Sequence, residues 1–184
     1  MQELTNPAEL EALRYPVGRR MSTARPTAAQ RAAWLEEIAA LPARLVEAVG
    51  GLDDGQLDTP YRPGGWTVRQ VVHHLPDSHA NGYVRCCLAL TEENPTIRPY
   101  DEGSWAELPF AKHGPIQPSL DFLAGVHARW VATMGAADED ALARTWTHPA
   151  EDVIHRAGDL LELYAWHSRH HLAHITRLAE RMGW

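Results

Sequence analysis

Apolar residues recur every three or four positions in four long stretches of the chain, which is the spacing of one buried helix face. The first stretch begins with Thr27 and Gln30, which have the spacing of a capping box, and it stops at Gly50-Gly51. Its apolar positions are Trp34, Leu35, Ile38, Leu41, Leu45 and Val49. The pattern predicts a first helix that ends at Val49 and is kinked at Pro42.

The other three stretches predict helices over residues 67–90, 118–135 and 159–182. Thr67 and Gln70 repeat the capping signal of the first helix, and a glycine follows or closes each of the last two. Residues 91–117 contain six prolines or glycines among aromatic residues, which predicts a long ordered crossover with room for a short helix.

No segment shows the alternation of apolar and polar residues that is typical of strands. We therefore expect an all-α protein, an antiparallel four-helix bundle with a long crossover between the second and third helices. With 184 residues, 45% of them hydrophobic, residues 1–184 are expected to form a single domain.

Charge and hydropathy exclude several classes of partner. The formal net charge of -7 would repel phosphate backbones, and no basic run is present, so nucleic acid is excluded as the main partner. The first residues, Met1, Gln2, Glu3 and Leu4, lack the features of a signal peptide, and no apolar segment approaches the roughly 20 residues of a membrane span. The expected location is cytoplasmic, without a membrane partner.

Histidine carries the candidate chemistry. The chain has eleven histidines, concentrated at residues 73–79 and 167–174. In the fourth predicted helix, His167 and His171 are four residues apart in the middle of the apolar face, where two imidazoles can converge on one ion. The alternative is a pair of core histidines bonded to backbone or carboxylate groups. Burying two polar rings side by side costs several kcal/mol unless each nitrogen has a partner, which favours a metal.

The second predicted helix is expected to supply a third ligand, because catalytic zinc sites usually hold three protein ligands. His73 points away from its apolar face, His79 lies within that face, and His74 lies on its border. Periodicity does not choose between His74 and His79. Three imidazoles without thiolates, and without the Glu-x-x-His pairs of di-iron bundles, indicate one zinc, nickel or similar ion.

Two further histidines of the fourth helix, His170 and His174, form another pair four residues apart. They lie toward the edge of the apolar face, so we expect them to be partly exposed, beside the site or at the surface. The two cysteines, Cys86 and Cys87, are adjacent in a predicted helix, so their side chains diverge and form no zinc-binding cluster.

Several motifs, spread over nearly the whole chain, resemble those of the DinB superfamily, and specifically its YfiT-like branch of metal-dependent hydrolases, which includes bacillithiol S-transferases. They are Leu13-Arg14-Tyr15-Pro16, Tyr61-Arg62-Pro63-Gly64-Gly65-Trp66-Thr67-Val68-Arg69-Gln70-Val71-Val72-His73-His74-Leu75, Leu88-Ala89-Leu90-Thr91-Glu92-Glu93, Arg98-Pro99-Tyr100-Asp101, Trp166-His167-Ser168-Arg169-His170-His171 and Ala173-His174-Ile175.

The resemblance implies an antiparallel four-helix bundle, a homodimer, and one zinc or nickel ion per chain. Carried over position by position, it implies the ligands His74, His167 and His171, and so favours His74 over His79. One departure is Pro76, two residues after the implied ligand, which predicts a kink close to His74.

Two reactions suit such a site. A metal-bound water can become a hydroxide nucleophile, which gives a hydrolase, or a low-molecular-weight thiol can bind as thiolate and attack an electrophile. We favour thiol transfer to a small-molecule electrophile, of the bacillithiol type that the resemblance implies, over hydrolysis, with a non-catalytic metal-binding bundle as the remaining alternative. The sequence singles out no general base; the candidates are Asp77, His79, His127 and His170.

Overall fold

The computed structural model describes residues 6–184, so the interpretation of Met1, Gln2, Glu3 and Leu4 lies outside it. Nine helices and two strands occur in the described residues. In chain order they are α1 (Pro7–Arg14), α2 (Ala28–Val49), α3 (Asp54–Leu57), α4 (Val68–Thr91), α5 (Glu102–Ala106), α6 (Pro109–His113), α7 (Gln117–Gly135), α8 (Glu139–Ala143), β1 (Thr145–Thr147), β2 (Ile154–Arg156) and α9 (Asp159–Met182).

The four long helices, α2, α4, α7 and α9, form the predicted four-helix bundle, and the long crossover joins α4 to α7. Complete capping boxes begin α2 at Thr27 and α4 at Thr67, as the sequence pattern predicts. Gly183 ends α9 in the left-handed conformation with a φ of +71°. Both α2 and α4 continue as single helices through their internal prolines, Pro42 and Pro76.

The helices do not pack in chain order. Helix α4 packs against α7 and α9, and α2 packs against the same two helices, so α2 and α4 are diagonal partners. Side-chain pairs show that α4 and α7 run in the same direction: His73 bonds Ser119 near their beginnings, and Cys86 contacts Met134 near their ends. The long crossover makes this parallel pairing feasible, because it returns the chain along the whole length of α4 before α7 begins.

Helices α4 and α9 are antiparallel and approach closely at Gly82. A Cβ atom at this position would lie 2.3 Å from Cζ of Tyr164 on α9 and 2.6 Å from Cη2 of Trp130 on α7. The hydroxyl of Tyr164 donates a 3.0 Å hydrogen bond to the carbonyl of Ser78, one turn before the glycine. The missing side chain therefore allows three helices to meet tightly, about two turns from His74.

Several short elements were not predicted. Helices α1, α3 and α8 have four to eight residues, too few for a clear apolar period. The sequence pattern also did not reveal β1 and β2, which form a small antiparallel hairpin in which Trp146 pairs with His155. Each strand has only three residues, which is too short for an alternating pattern to be visible in the sequence. The crossover contains the two short helices α5 and α6.

In residues 6–184, no helix combines the length and the apolar character that crossing a membrane requires.

Candidate metal centre

Three histidines from two antiparallel helices meet at one point of the bundle. His74 comes from α4, and His167 and His171 come from successive turns of α9; one ring nitrogen of each lies within 4.8 Å of the others. Nε2 of His74 is 3.3 Å from Nε2 of His167. Nitrogens bound to one tetrahedral zinc at about 2.0–2.1 Å are about 3.4 Å apart, so this pair already has the spacing that a shared ion needs.

The electrostatic state of these rings also suits a metal. Burial lowers the pKa of His74 to about 4 and lowers the pKa of His171 well below its ordinary value, since desolvation penalises the charged ring. Both rings are therefore neutral near pH 7, with a nitrogen lone pair free to coordinate. Nδ1 of His171 is buried and has no hydrogen-bond partner among the described residues, so contacts with them do not satisfy this ring.

Trp66 forms one wall beside the three histidines. Its ring lies 4.7 Å from that of His74 and stacks at 6.4 Å over that of His171, measured between ring centroids. The tryptophan follows a tight turn in which Gly64 has a φ of +63°, and the turn closes by a β-bridge between Pro60 and Thr67. The motif before α4 thus positions an aromatic wall as well as the first turn of the helix.

A second trio, His170, His171 and His174, also brings its ring nitrogens within 4.8 Å of one another. All three lie on α9. Nε2 of His174 is 3.2 Å from the carbonyl oxygen of Arg14, to which it can donate a hydrogen bond. The trio on two helices is the better candidate, because it has no such backbone partner.

The expected partial exposure of His170 and His174 was wrong, since both are buried. Tyr15 lies 5.9 Å from His170, and Tyr61 stacks on His174 at 3.9 Å, so segments outside the four long helices cover them. His73, expected to point away from the apolar face, is buried as well. Its Nδ1 lies 2.7 Å from Oγ of Ser119 on α7, because the parallel packing of α4 and α7 covers that side.

His74 and His79, between which helix periodicity did not choose, lie on different sides of the His167 ring. His74 faces Nε2 of His167, whereas Nε2 of His79 lies 3.0 Å from Nδ1 of the same ring. The structure therefore brings His74 into the trio and places His79 behind it.

The four candidate general bases are dispersed. Only His170 lines the cleft in front of the trio. Asp77 lies in a separate pocket with Trp105 and Phe110, where burial raises the pKa of its carboxyl to about 6. His79 and His127 are enclosed in the core behind His167. His127 was detectable as a core residue, because it continues the apolar spacing of the third predicted helix.

The cleft has a volume of about 620 Å³ and is open to solvent. It is lined by polar and aromatic groups that sequence reasoning did not assign to the site, notably Arg14, Arg62, Arg85, Tyr100 and Trp166. Arg85 follows His74 and Ser78 along the same face of α4, a spacing that could have identified it. Its Nε is buried and has no hydrogen-bond partner among the described residues.

Comparison with known proteins agrees with this architecture. Residues 37–175 match the model of the DinB superfamily. A Bacillus subtilis protein provisionally named as the metal-dependent hydrolase YfiT is 47% identical over 172 residues, which cover 94% of this chain and 97% of the relative. A Bacillus cereus protein with the same kind of provisional name is 50% identical over 173 residues, covering 94% and 98% of the two chains.

A solved structure superimposes with a TM-score of 0.91 and 47% identity, covering 94% of this chain and 99% of the other. It is YfiT from Bacillus subtilis, described as a probable metal-dependent hydrolase with an unusual four-helix bundle topology.

Proposed function

Because this chain belongs to the DinB superfamily, we propose that it is a metal-dependent enzyme whose ion is held by His74, His167 and His171. The observation that carries the proposal is the convergence of three neutral imidazoles from two helices at the base of an open cleft. A zinc or nickel ion there, zinc being our first choice, supplies Lewis acidity and lowers the pKa of a water or thiol that reaches it.

The residues of the chain prepare the site for such a reaction. Trp66 and the rings of the trio form an aromatic wall at the back of the cleft, which limits the number of positions a bound group can take beside the ion. Oγ of Ser78 lies 3.4 Å from Nε2 of His167 and lines the cleft, so it can hydrogen-bond a reacting group. Tyr164, bonded to the Ser78 carbonyl, holds that turn of α4 in position.

Within this class we propose thiol transfer to an electrophile as the reaction. Glu102 is the only carboxylate among the described residues that line the cleft, and it is exposed. A zinc ion lowers the pKa of a bound water to about 7, but a thiol with a pKa of about 8.5 is already partly ionised before it reaches the ion and so depends less on a general base. The candidate base in the cleft, His170, is a weak one, because burial lowers its pKa to about 4. We therefore favour a small thiol over water as the nucleophile.

The arginines of the cleft indicate the charge of the substrate. None of Arg14, Arg62 and Arg85 forms an ion pair with a carboxylate within residues 6–184; Arg62 donates instead to the Tyr61 hydroxyl and the Pro63 carbonyl. Unpaired arginines around one cleft, in a chain of net charge -7, favour an anionic ligand. We propose that the thiol or its electrophile carries a carboxylate or phosphate group.

Hydrolysis by an activated water is the second candidate, and the names of the relatives support it. The two reactions are separated by assaying zinc-loaded protein with a chromogenic aryl halide and a panel of cellular thiols, and with chromogenic esters and amides in thiol-free buffer. Thiol-dependent turnover that a chelator abolishes and zinc restores is expected. Ester or amide hydrolysis without thiol would favour the second candidate, and zinc binding without either activity would indicate a non-catalytic bundle.

Assembly and location remain predictions. We propose a homodimer in which a second copy covers Trp105, Leu108, Phe110 and Phe122, apolar residues that are 40–54% exposed and line one pocket. A cytoplasmic location is proposed from the sequence alone.

A further inference from the structure

A chain of hydrogen bonds runs through the core behind the trio and ends at a main-chain carbonyl. Nδ1 of His167 lies 3.0 Å from Nε2 of His79, and Nδ1 of His79 lies 2.8 Å from Nε2 of His127. Nδ1 of His127 lies 2.6 Å from the carbonyl oxygen of Ile38. The four residues belong to α9, α4, α7 and α2, so the chain crosses all four long helices of the bundle.

The carbonyl at the end determines the direction of every bond. A carbonyl oxygen only accepts, so Nδ1 of His127 must carry a proton. A neutral His127 then has an unprotonated Nε2, which accepts from Nδ1 of His79. The same argument, applied once more, leaves Nε2 of His79 as the acceptor for Nδ1–H of His167.

The argument requires neutral rings, and the surroundings supply that condition. His79 is 0% and His127 2% exposed, and no carboxylate within residues 6–184 bonds either ring. A charged imidazole buried without an opposite charge would cost several kcal/mol. A positive charge on any of the three rings would lie beside another imidazole rather than beside a carboxylate, so none of the three positions favours it.

The consequence falls on the nitrogen that faces the cleft. When Nδ1 of His167 holds the proton, its Nε2 holds a lone pair, and this nitrogen is the one 3.3 Å from Nε2 of His74. We infer that His79 and His127 are positioning residues that lock His167 in the Nδ1-protonated tautomer and so keep its Nε2 ready to bind a metal. In metal-free protein, Nε2–H of His74 can then donate to this lone pair.

The chain of hydrogen bonds fixes the tautomer of His167, an arrangement called the tautomer lock below, and it does not conduct protons. Its far end is an amide carbonyl inside the bundle, which neither takes up nor releases a proton near neutral pH. Metal-binding histidines commonly donate their second N–H directly to a carboxylate or carbonyl. Here two imidazoles stand between His167 and that carbonyl, so the orientation of the ring depends on the packing of α2 and α7.

The first test needs no variant. Long-range ¹H–¹⁵N correlation spectra of uniformly labelled, metal-free protein show which ring nitrogen of each histidine is protonated. We expect His79, His127 and His167 all to carry the proton on Nδ1, although Nε2 is the usual site in free neutral histidine. A proton on Nε2 of any of the three would overturn the lock.

The second test measures zinc affinity by competition with a chromophoric chelator. His127→Phe removes the acceptor for His79, and the affinity should fall about tenfold or more, as for other residues that orient a metal-binding histidine. His127→Gln offers an N–H to Ile38 and an oxygen to His79, and it should stay within about threefold of wild type. His73→Phe is the matched control, because His73 is a buried histidine that does not belong to the chain of hydrogen bonds, and its zinc affinity should also stay within that range. Wild-type affinity in His127→Phe would contradict the lock, and if that variant does not fold, the spectra of the wild type decide.

The inference rests on the proposed function in taking His167 as a metal ligand, and the two can fail separately. If wild-type protein binds no zinc, or His167→Ala binds it normally, the proposed metal centre is refuted, whereas the tautomers assigned from the spectra still stand. If wild-type protein binds zinc but the affinities of His127→Phe and wild type agree, the centre stands and the lock is wrong.

Discussion

Gly82 of α4 packs directly against the ring of Tyr164 of α9, and a Cβ atom on the glycine would lie 2.3 Å from Cζ of the tyrosine. Because Gly82 is buried between Tyr164 and Trp130, Gly82→Ala must push the helices apart near the proposed metal centre. We expect a loss of about 1–3 kcal/mol in the free energy of unfolding, measured with urea, and weaker zinc binding.

Gly125→Ala is the matched control for this change. Gly125 lies within α7, is exposed, and would have nothing within 4 Å of an added Cβ, so this variant should gain about 0.5–1 kcal/mol from helix propensity. Equal effects of the two substitutions would refute the close-packing argument.

The stability of the metal-free protein should decrease as the pH falls below about 6.5. Burial lowers the pKa of His127 to about 4 in the folded protein, whereas the unfolded chain has the ordinary pKa of about 6.5. Between these two values only the unfolded chain gains the proton, so acid favours unfolding.

His127→Gln removes this titration and should lose about 2 kcal/mol less than wild type between pH 7.5 and pH 5. Urea unfolding in the presence of a chelator measures the difference. Parallel pH profiles for the two proteins would show that His127 is protonated in the folded state as readily as in the unfolded chain.

Arg85→Gln should weaken the binding of an anionic substrate, because the arginine lines the cleft without a carboxylate partner. A charge-assisted hydrogen bond contributes about 1.5–3 kcal/mol, so KM for the active thiol should rise about tenfold or more while kcat changes little.

Arg129→Gln is the control for Arg85→Gln, since Arg129 lies over the ring of Tyr83 outside the cleft. A neutral amide analogue of the substrate should be affected much less by Arg85→Gln than the anion. Equal KM values for wild type and Arg85→Gln would exclude this arginine from substrate binding.

Phe122→Glu tests the proposed dimer, because Phe122 is 50% exposed in the apolar patch around Trp105, Leu108 and Phe110. A charge there should be costly to bury, so the variant should sediment as a monomer under conditions in which wild type sediments as a dimer. A variant that still sediments as a dimer would place the interface elsewhere. A wild type that sediments as a monomer would refute the proposed dimer.

Local signals predicted the scaffold and part of the site. The capping boxes at Thr27 and Thr67 and the apolar spacing gave the long helices to within a residue or two, because those signals act within one or two turns. The same spacing placed His167 and His171 on the inner face of α9.

The exposure of His73, His170 and His174 depends on segments distant in sequence, and helix periodicity carries no information about them. Ser119 covers His73, and Tyr15 and Tyr61 cover the other two. The hydrogen-bond chain behind His167 was hidden for the same reason, since it joins residues from four helices.

The central claim, one ion held by His74, His167 and His171, is tested most directly by elemental analysis of purified variants after saturation with zinc and removal of excess metal. Wild type should retain about one ion per chain, and His74→Ala and His171→Ala should retain almost none. His79→Ala should still take up one ion, with lower affinity, because His79 lies behind His167 rather than beside His74. Full occupancy in His74→Ala or His171→Ala, or loss of the ion from His79→Ala alone, would contradict the account.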